Sequence, residues 1–261
     1  MLTPENVQTL AAELAEAERT HGVIPRITAR HPEATVEDAY AIQGVWRDAQ
    51  LAAGRRLVGR KIGLTSKAMQ QATGITEPDY GVMFDDTVWS TGAVLPFERF
   101  SNVRIEVELA FLLKEPLEGP GCTLIDVLRA TEYVTPALEI LNSHIELEGR
   151  TIVDTISDNA AYGAMVTGGV PTRPDQLDLR WVSTLLYRNE TIEETGVAAG
   201  VLGHPATGVA WLADKFHEHG ARLEAGEIIL AGSYTRPMWV ERGDTVFADY
   251  GPMGTITCRF D

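Results

Sequence analysis

Residues 103–113 read VRIEVELAFLL. Apolar and polar residues alternate there with a period of two, the pattern of a β-strand with two unlike faces. Ile105, Val107, Leu109 and Phe111 share one face, and Arg104, Glu106, Glu108, Ala110 and Leu112 share the other. The first is a core face. The second sets two glutamates side by side, about 7 Å apart at roughly 3.3 Å per residue. Two readings suit the pair. It lies on a solvated face, where glutamate is tolerated, or it supplies ligands to a hard divalent cation, which takes carboxylate oxygens and removes their mutual repulsion.

The neighbouring segments bear on that choice. YVTPALEIL, residues 133–141, reads as a second apolar strand whose lone acid, Glu139, sits among Ala137, Leu138, Ile140 and Leu141. A buried glutamate without a partner carries a large desolvation cost or becomes protonated. Glu139 therefore either completes a three-carboxylate site with Glu106 and Glu108 or faces solvent from an edge strand. GRKIGLTS, residues 59–66, places Lys61 in a short apolar strand before a turn. It is a desolvated acid, base or charge clamp, or a lysine whose stem packs while its head reaches water. EPDYG, residues 77–81, reads as a turn carrying Asp79.

Period-2 strands follow from about residue 80: 103–112, 133–141, 161–167, 179–187, 227–232, 244–249 and 254–260. A further strand is expected at 57–62. Helices are expected at 5–21, where Val7, Leu10, Ala11 and Leu14 share a face and Gly22 gives a stop, and from Thr35 to about Gly54. Shorter ones are expected after Ser66, at 123–131 with Thr123 as cap, and at 204–218 with Pro205 in the first turn. Strands in bulk with few helices predict an α+β fold. The helical N-terminal portion, residues 1–80, should pack on a β-rich catalytic core, residues 81–261, as one unit.

Composition narrows the function classes. The 261 residues carry 22 Lys plus Arg against 37 Asp plus Glu, a net charge of −15. Such a surface repels phosphate backbones and anionic lipid, which argues against nucleic-acid or membrane partners. Two cysteines are too few for a disulfide framework. MLTPENVQTL has neither the basic nor the apolar region of a signal peptide, so a cytoplasmic location is expected. The chain lacks a G-x-G-x-x-G after a strand, a G-x-S-x-G elbow and an H-E-x-x-H. HEH at 217–219 and His204 read as surface and structural residues, and GVAAG at 196–200 lacks phosphate-loop spacing.

In order, GRKIGLTS, EPDYG, RIEVELAF, PALEI, DTISDNA, GVLGHPATGVAWLADK and GEIILAGSYTRP resemble the hydratase/decarboxylase family of meta-cleavage pathways, within the fumarylacetoacetate hydrolase superfamily. The likeness runs essentially end to end, and EETGVAAGVLGHPATGVAWLA looks most like the branch that hydrates a seven-carbon dicarboxylate, 2-oxo-hept-4-ene-1,7-dioate. The resemblance implies a mixed β-sheet rolled into a barrel-like core with a helical N-terminal cap. It implies Mg2+ or Mn2+ held by Glu106, Glu108 and Glu139, with Lys61 and Asp79 as the catalytic pair. The substrate would be a small 2-oxo or 2-hydroxy dienoic acid and the enzyme a homo-oligomer. Ser66, Ser233 and the backbone near Asp158 and Asn159 are the expected substrate contacts. A dicarboxylate needs a cation at its far end, for which Arg236 is the candidate. The stretch between Asn142 and Asp154 looks shorter than in some heptenedioate hydratases and is expected at the substrate mouth. Decarboxylation of 4-oxalocrotonate, hydration of 2-oxopent-4-enoate, and a non-enzymatic role as a partner subunit are the rival readings.

Overall fold

The computed structural model describes residues 1–66, 70 and 77–261. The chain opens with helix α1 (Pro4–Thr20), whose N-terminus is capped by the Thr3 side chain. His21 takes the left-handed C-cap conformation (φ 53°), one residue before the expected Gly22. A single turn, α2 (Ile27–Arg30), precedes α3 (Val36–Ala52), where Thr35 and Asp38 form a reciprocal capping box. Leu10, Leu14, Ile42 and Trp46 of the two long helices bury against Val82 and Phe84.

Among the described residues thirteen strands follow: β1 (Leu57–Gly63), β2 (Asp79–Phe84), β3 (Val88–Ser90), β4 (Ala93–Leu95), β5 (Arg104–Leu113), β6 (Thr131–Leu141), β7 (Tyr162–Thr167), β8 (Ser183–Arg188), β9 (Thr191–Val197), β10 (Ile228–Leu230), β11 (Met238–Trp239), β12 (Thr245–Asp249) and β13 (Thr255–Phe260). One mixed sheet runs β2-β1-β10-β5-β6-β7-β3, with β11 beside β5. The other runs β4-β13-β12-β8-β9. Ile105, Val107, Leu109 and Phe111 are fully buried, as the alternation in β5 predicts, in one core with Leu186, Val246 and Ile256 of the second sheet. The helix Pro205–His217 seals that core with Val209, Leu212 and Phe216. At about 1.5–3 kcal/mol per large apolar side chain, this burial is the main force holding the sheets together. The architecture is the expected α+β, barrel-like in outline, but the two sheets do not close into a barrel.

Several elements differ from the sequence expectation. Asp79 opens strand β2 and pairs with Gly63 of β1, where a turn is expected. β1 lies between β2 and β10, so the division expected at residue 80 runs through this sheet. Leu179–Trp181 is a single 3-10 turn before β8. β9 and the short helix Ile152–Ser157 have no clear apolar period in the sequence. The helix expected after Ser66 falls on residues outside those described. No helix among the described residues is long and apolar enough to cross a membrane.

Candidate active site and metal centre

β5 and β6 are antiparallel neighbours, and their register places Glu106 directly opposite Glu139 and Glu108 opposite Ala137. The three carboxylates therefore share one face, and each offers an oxygen within 4.8 Å of the others. Glu108 and Glu139 are fully buried, while Glu106 is part-exposed at the edge of a cavity of about 150 Å³. Gly232 N–H donates to one oxygen of Glu108 at 2.8 Å. The other Glu108 oxygen and both oxygens of Glu139 accept no hydrogen bond. Oxygens left open in this way cost several kcal/mol unless something binds them. An all-oxygen set of three carboxylates fits a hard divalent cation.

Lys61 and Asp79 meet the triad from β1 and β2. Lys61 is buried; its Nζ donates to the Ala160 carbonyl at 2.9 Å and lies 3.1 Å from Glu139 Oε1. Asp79 is 1% exposed, and neither of its oxygens accepts a hydrogen bond of ordinary geometry. Gly63, across the β1–β2 pair, makes room for them. A Cβ there would stand 2.1 Å from Asp79 Oδ1 and 3.2 Å from Lys61 Nζ. The Ala160 carbonyl is presented by a strained backbone, since Asn159, Ala160 and Ala161 all have positive φ (50°, 53° and 58°). The Asn159 side chain holds this turn by pairing with both the N–H and the C=O of Val82, as a neighbouring strand would.

The electrostatics follow from burial and crowding. Burial, and then Glu139, pushes Glu106 up to about 8. Burial and Glu139 likewise raise Glu108 well above the carboxylate range. Burial raises Asp79 more than Lys61 lowers it. Burial disfavours the Lys61 ammonium, but the carboxylates of Glu139, Asp79, Glu108 and Glu106 outweigh it and keep the lysine protonated. Without a cation the centre is short of positive charge. It holds protons in place of a metal.

The expected substrate contacts divide. Ser66 and Ser233 line the cavity, Ser233 braced by hydrogen bonds with the Thr235 backbone. The backbone after Asp158 and Asn159 does so at Ala160 and Ala161. The side chains of those two residues serve the scaffold instead: Asp158 accepts from His144 and Ser143, and Asn159 is spent on Val82. Arg236 is not brought to the cavity. Its side chain is 80% exposed and pairs with Glu194 at 2.8 Å. Two other arginines line the site, Arg104 on the Glu106 face of β5 and Arg150 from the stretch expected at the substrate mouth. Arg104 is legible in the alternation that singles out Glu106. Arg150 gives no signal in sequence, because its loop position is fixed only by tertiary packing.

Comparisons with known proteins agree with this geometry. No family model matches the chain. A 2-oxo-hept-4-ene-1,7-dioate hydratase of Escherichia coli is 54% identical over 257 residues, 96% of each chain. A solved 4-oxalocrotonate decarboxylase of Pseudomonas putida G7, complexed with magnesium and adipate, superposes with a TM-score of 0.97. It is 35% identical and covers 100% of this chain and 99% of its own. A fumarylpyruvate hydrolase of Pseudomonas aeruginosa shares the fold alone, with a TM-score of 0.62 at 16% identity over 78% of this chain and 89% of its own. On sequence, fold and site alike, the chain belongs to the hydratase/decarboxylase family that these first two relatives represent.

Proposed function

We propose that this chain hydrates 2-oxo-hept-4-ene-1,7-dioate to 4-hydroxy-2-oxoheptane-1,7-dioate. The observation that carries the reading is the meeting of the open Glu106, Glu108 and Glu139 triad with Lys61 and Asp79 in a chain 54% identical to a hydratase of that substrate. Glu106, Glu108 and Glu139 would hold Mg2+ or Mn2+. A divalent ion there supplies Lewis-acid stabilisation of the charge that gathers on a 2-oxo acid when its neighbouring carbons gain or lose protons.

The residues of the chain do the rest. Lys61, held protonated between Glu139 and the Ala160 carbonyl, and Asp79, whose pKa is raised by burial, are the two groups placed to move protons. Loss of a proton from C3 of the 2-oxo-4-ene gives the dienolate, and a proton delivered to C5 then leaves the C3–C4 double bond conjugated with the 2-oxo group. The hydroxyl of water then bonds to C4, and a proton goes to C3. Each positioned acid or base contributes about 10²–10⁴-fold. Ser66, Ser233 and the backbone at Ala160 and Ala161 line the space for the bound acid. The enzyme works in the cytoplasm as a homo-oligomer.

Hydration and decarboxylation separate in one assay. Dienols of five, six and seven carbons are followed by absorbance with Mg2+ and with EDTA, together with carbon dioxide release. The expected result is metal-dependent loss of dienol without carbon dioxide, fastest on the seven-carbon diacid. Carbon dioxide released in step with absorbance would instead favour the decarboxylase reading, which the 0.97 TM-score to such an enzyme keeps in view.

A further inference from the structure

Two guanidinium groups in the cavity wall have no ionic partner among the described residues. Arg104 Nε and Nη2 are buried and donate no hydrogen bond, and the guanidinium is steadied only by the Trp239 ring, 5.3 Å from its centroid. Arg150 Nη1 donates to Ser143 Oγ at 2.7 Å, and Ser143 in turn donates to Asp158. Both arginines line the same cavity. Arg60, similarly sheltered, reaches Glu227 at 3.4 Å, and exposed Arg236 reaches Glu194. Two cations kept close together, part-dehydrated and unpaired are a site for an anion.

Their position says which part of a substrate they face. Arg104 lies two residues from Glu106 on the same side of β5, in the direction away from Glu108. It therefore stands about 7 Å beyond Glu106 along the strand. The six carbon–carbon bonds of a heptanedioate skeleton, about 1.5 Å each, place its two carboxyl carbons at a similar separation once bond angles are allowed for. We infer that Arg104 and Arg150 form the subsite for the distal carboxylate of a dicarboxylate substrate, and that they set the preference for a diacid over a monoacid. This rests on the reading above, in which the 2-oxo acid end lies at the glutamate triad.

The test compares Arg104→Met and Arg150→Met with the parent enzyme. Turnover is measured on the seven-carbon dienol diacid and the five-carbon dienol monoacid, and heptanedioate binding is followed by calorimetry in Mg2+. Each variant should lose roughly 100-fold in kcat/KM on the diacid, mostly through KM. Activity on the monoacid should hold, and heptanedioate binding should weaken by a similar factor. Arg104→Lys keeps the charge without the forked donor and covers a folding failure of the Met variant; it should lose about tenfold on the diacid alone. Arg236→Ala should change neither substrate. Equal losses on diacid and monoacid, or undiminished heptanedioate binding, would overturn the assignment. A parent enzyme that turns over only the monoacid would remove the functional reading instead, and heptanedioate binding would still decide the role of the arginines.

Discussion

Two groups of buried acids in this molecule are treated in opposite ways. Asp154 is fully buried and accepts from the N–H and hydroxyl of Thr28 and of Thr151, at 2.7–3.0 Å. Asp158 accepts from the His144 N–H, from His144 Nδ1 and from Ser143 Oγ. Glu108, Glu139 and Asp79 are as deeply buried, yet five of their six oxygens accept no hydrogen bond. The satisfied acids tie segments together, with Asp154 joining α2 to the helix that follows Thr151 across 126 residues of sequence. The unsatisfied acids hold far less together: Gly232 N–H meets one oxygen of Glu108 and Lys61 meets Glu139. Burial without partners is costly, so such oxygens persist where an outside ligand completes them.

The sharpest way to break this contrast is to neutralise the open set. Glu108→Gln combined with Glu139→Gln should lower turnover by about 10³-fold or more and abolish calorimetric Mg2+ binding. In EDTA the Glu108→Gln change taken alone should leave the melting temperature unchanged or raise it, because repulsion is removed, whereas Glu139→Gln also gives up the 3.1 Å ion pair with Lys61. A marked loss of melting temperature in EDTA from Glu108→Gln alone would place Glu108 with the scaffold. Lys61 and Asp79 divide the same region further. Lys61→Met and Asp79→Asn should each cost about 10²–10⁴-fold in kcat. Only the lysine variant should also destabilise the metal-free protein, by about 3 kcal/mol, since it leaves Glu139 buried beside further carboxylates with no cation. Equal stability of the two variants in EDTA would show that Lys61 is not the counter-charge of Glu139.

The satisfied set should respond the other way. Asp154→Ala removes four accepted hydrogen bonds, from half-buried Thr28 and exposed Thr151, and empties a fully buried position. It should destabilise the fold by about 2–4 kcal/mol in urea unfolding, while kcat per folded molecule stays unchanged. A loss of kcat with normal stability would tie Asp154 to the chemistry.

The open set was the more legible of the two in sequence. Glu106 and Glu108 stand out because period-2 alternation puts them on one side of an apolar strand, and Glu139 because it interrupts another. The antiparallel register that makes Glu106 face Glu139 is a tertiary fact, supplied beforehand only by the family resemblance. Asp79 shows the limit of local chemistry. EPDYG has the composition of a turn, but pairing with Gly63 across β1 draws Asp79 into a strand. Arg236 shows another limit: the chemical need for a distal cation is readable, but which arginine reaches the cavity depends on side-chain direction and on a loop without periodicity. The satisfied acids were the least legible. Thr28, Ser143 and His144 lie 14 to 126 residues from the acids they meet, and Thr151, three residues before Asp154, reads simply as a helix cap.

The two sets should also impose opposite pH dependences, the smallest of these effects. Burial works against Asp154, but its hydrogen bonds from Thr28 and Thr151 outweigh it and lower its pKa. Asp38 is lowered by the same balance, with its hydrogen bonds coming from Thr35 and Leu2. Stability from these groups is present above the unfolded carboxylate range and is lost as pH falls below about 4. Glu106, raised to about 8, and Glu108 and Asp79, also raised, contribute with the reverse sign. The folded state holds protons there that the unfolded chain releases, so their contribution is present at low pH and declines as pH rises from about 4.5 towards 8. In EDTA, urea unfolding should therefore show a loss of stability between pH 5 and pH 8. Mg2+ should remove that decline by displacing the protons, with calorimetric proton release greater at pH 6 than at pH 9. Metal-free stability that climbed from pH 5 to pH 8, or Mg2+ binding without proton release, would mean that the open acids are ionised and satisfied after all, and the distinction between the two sets would fall.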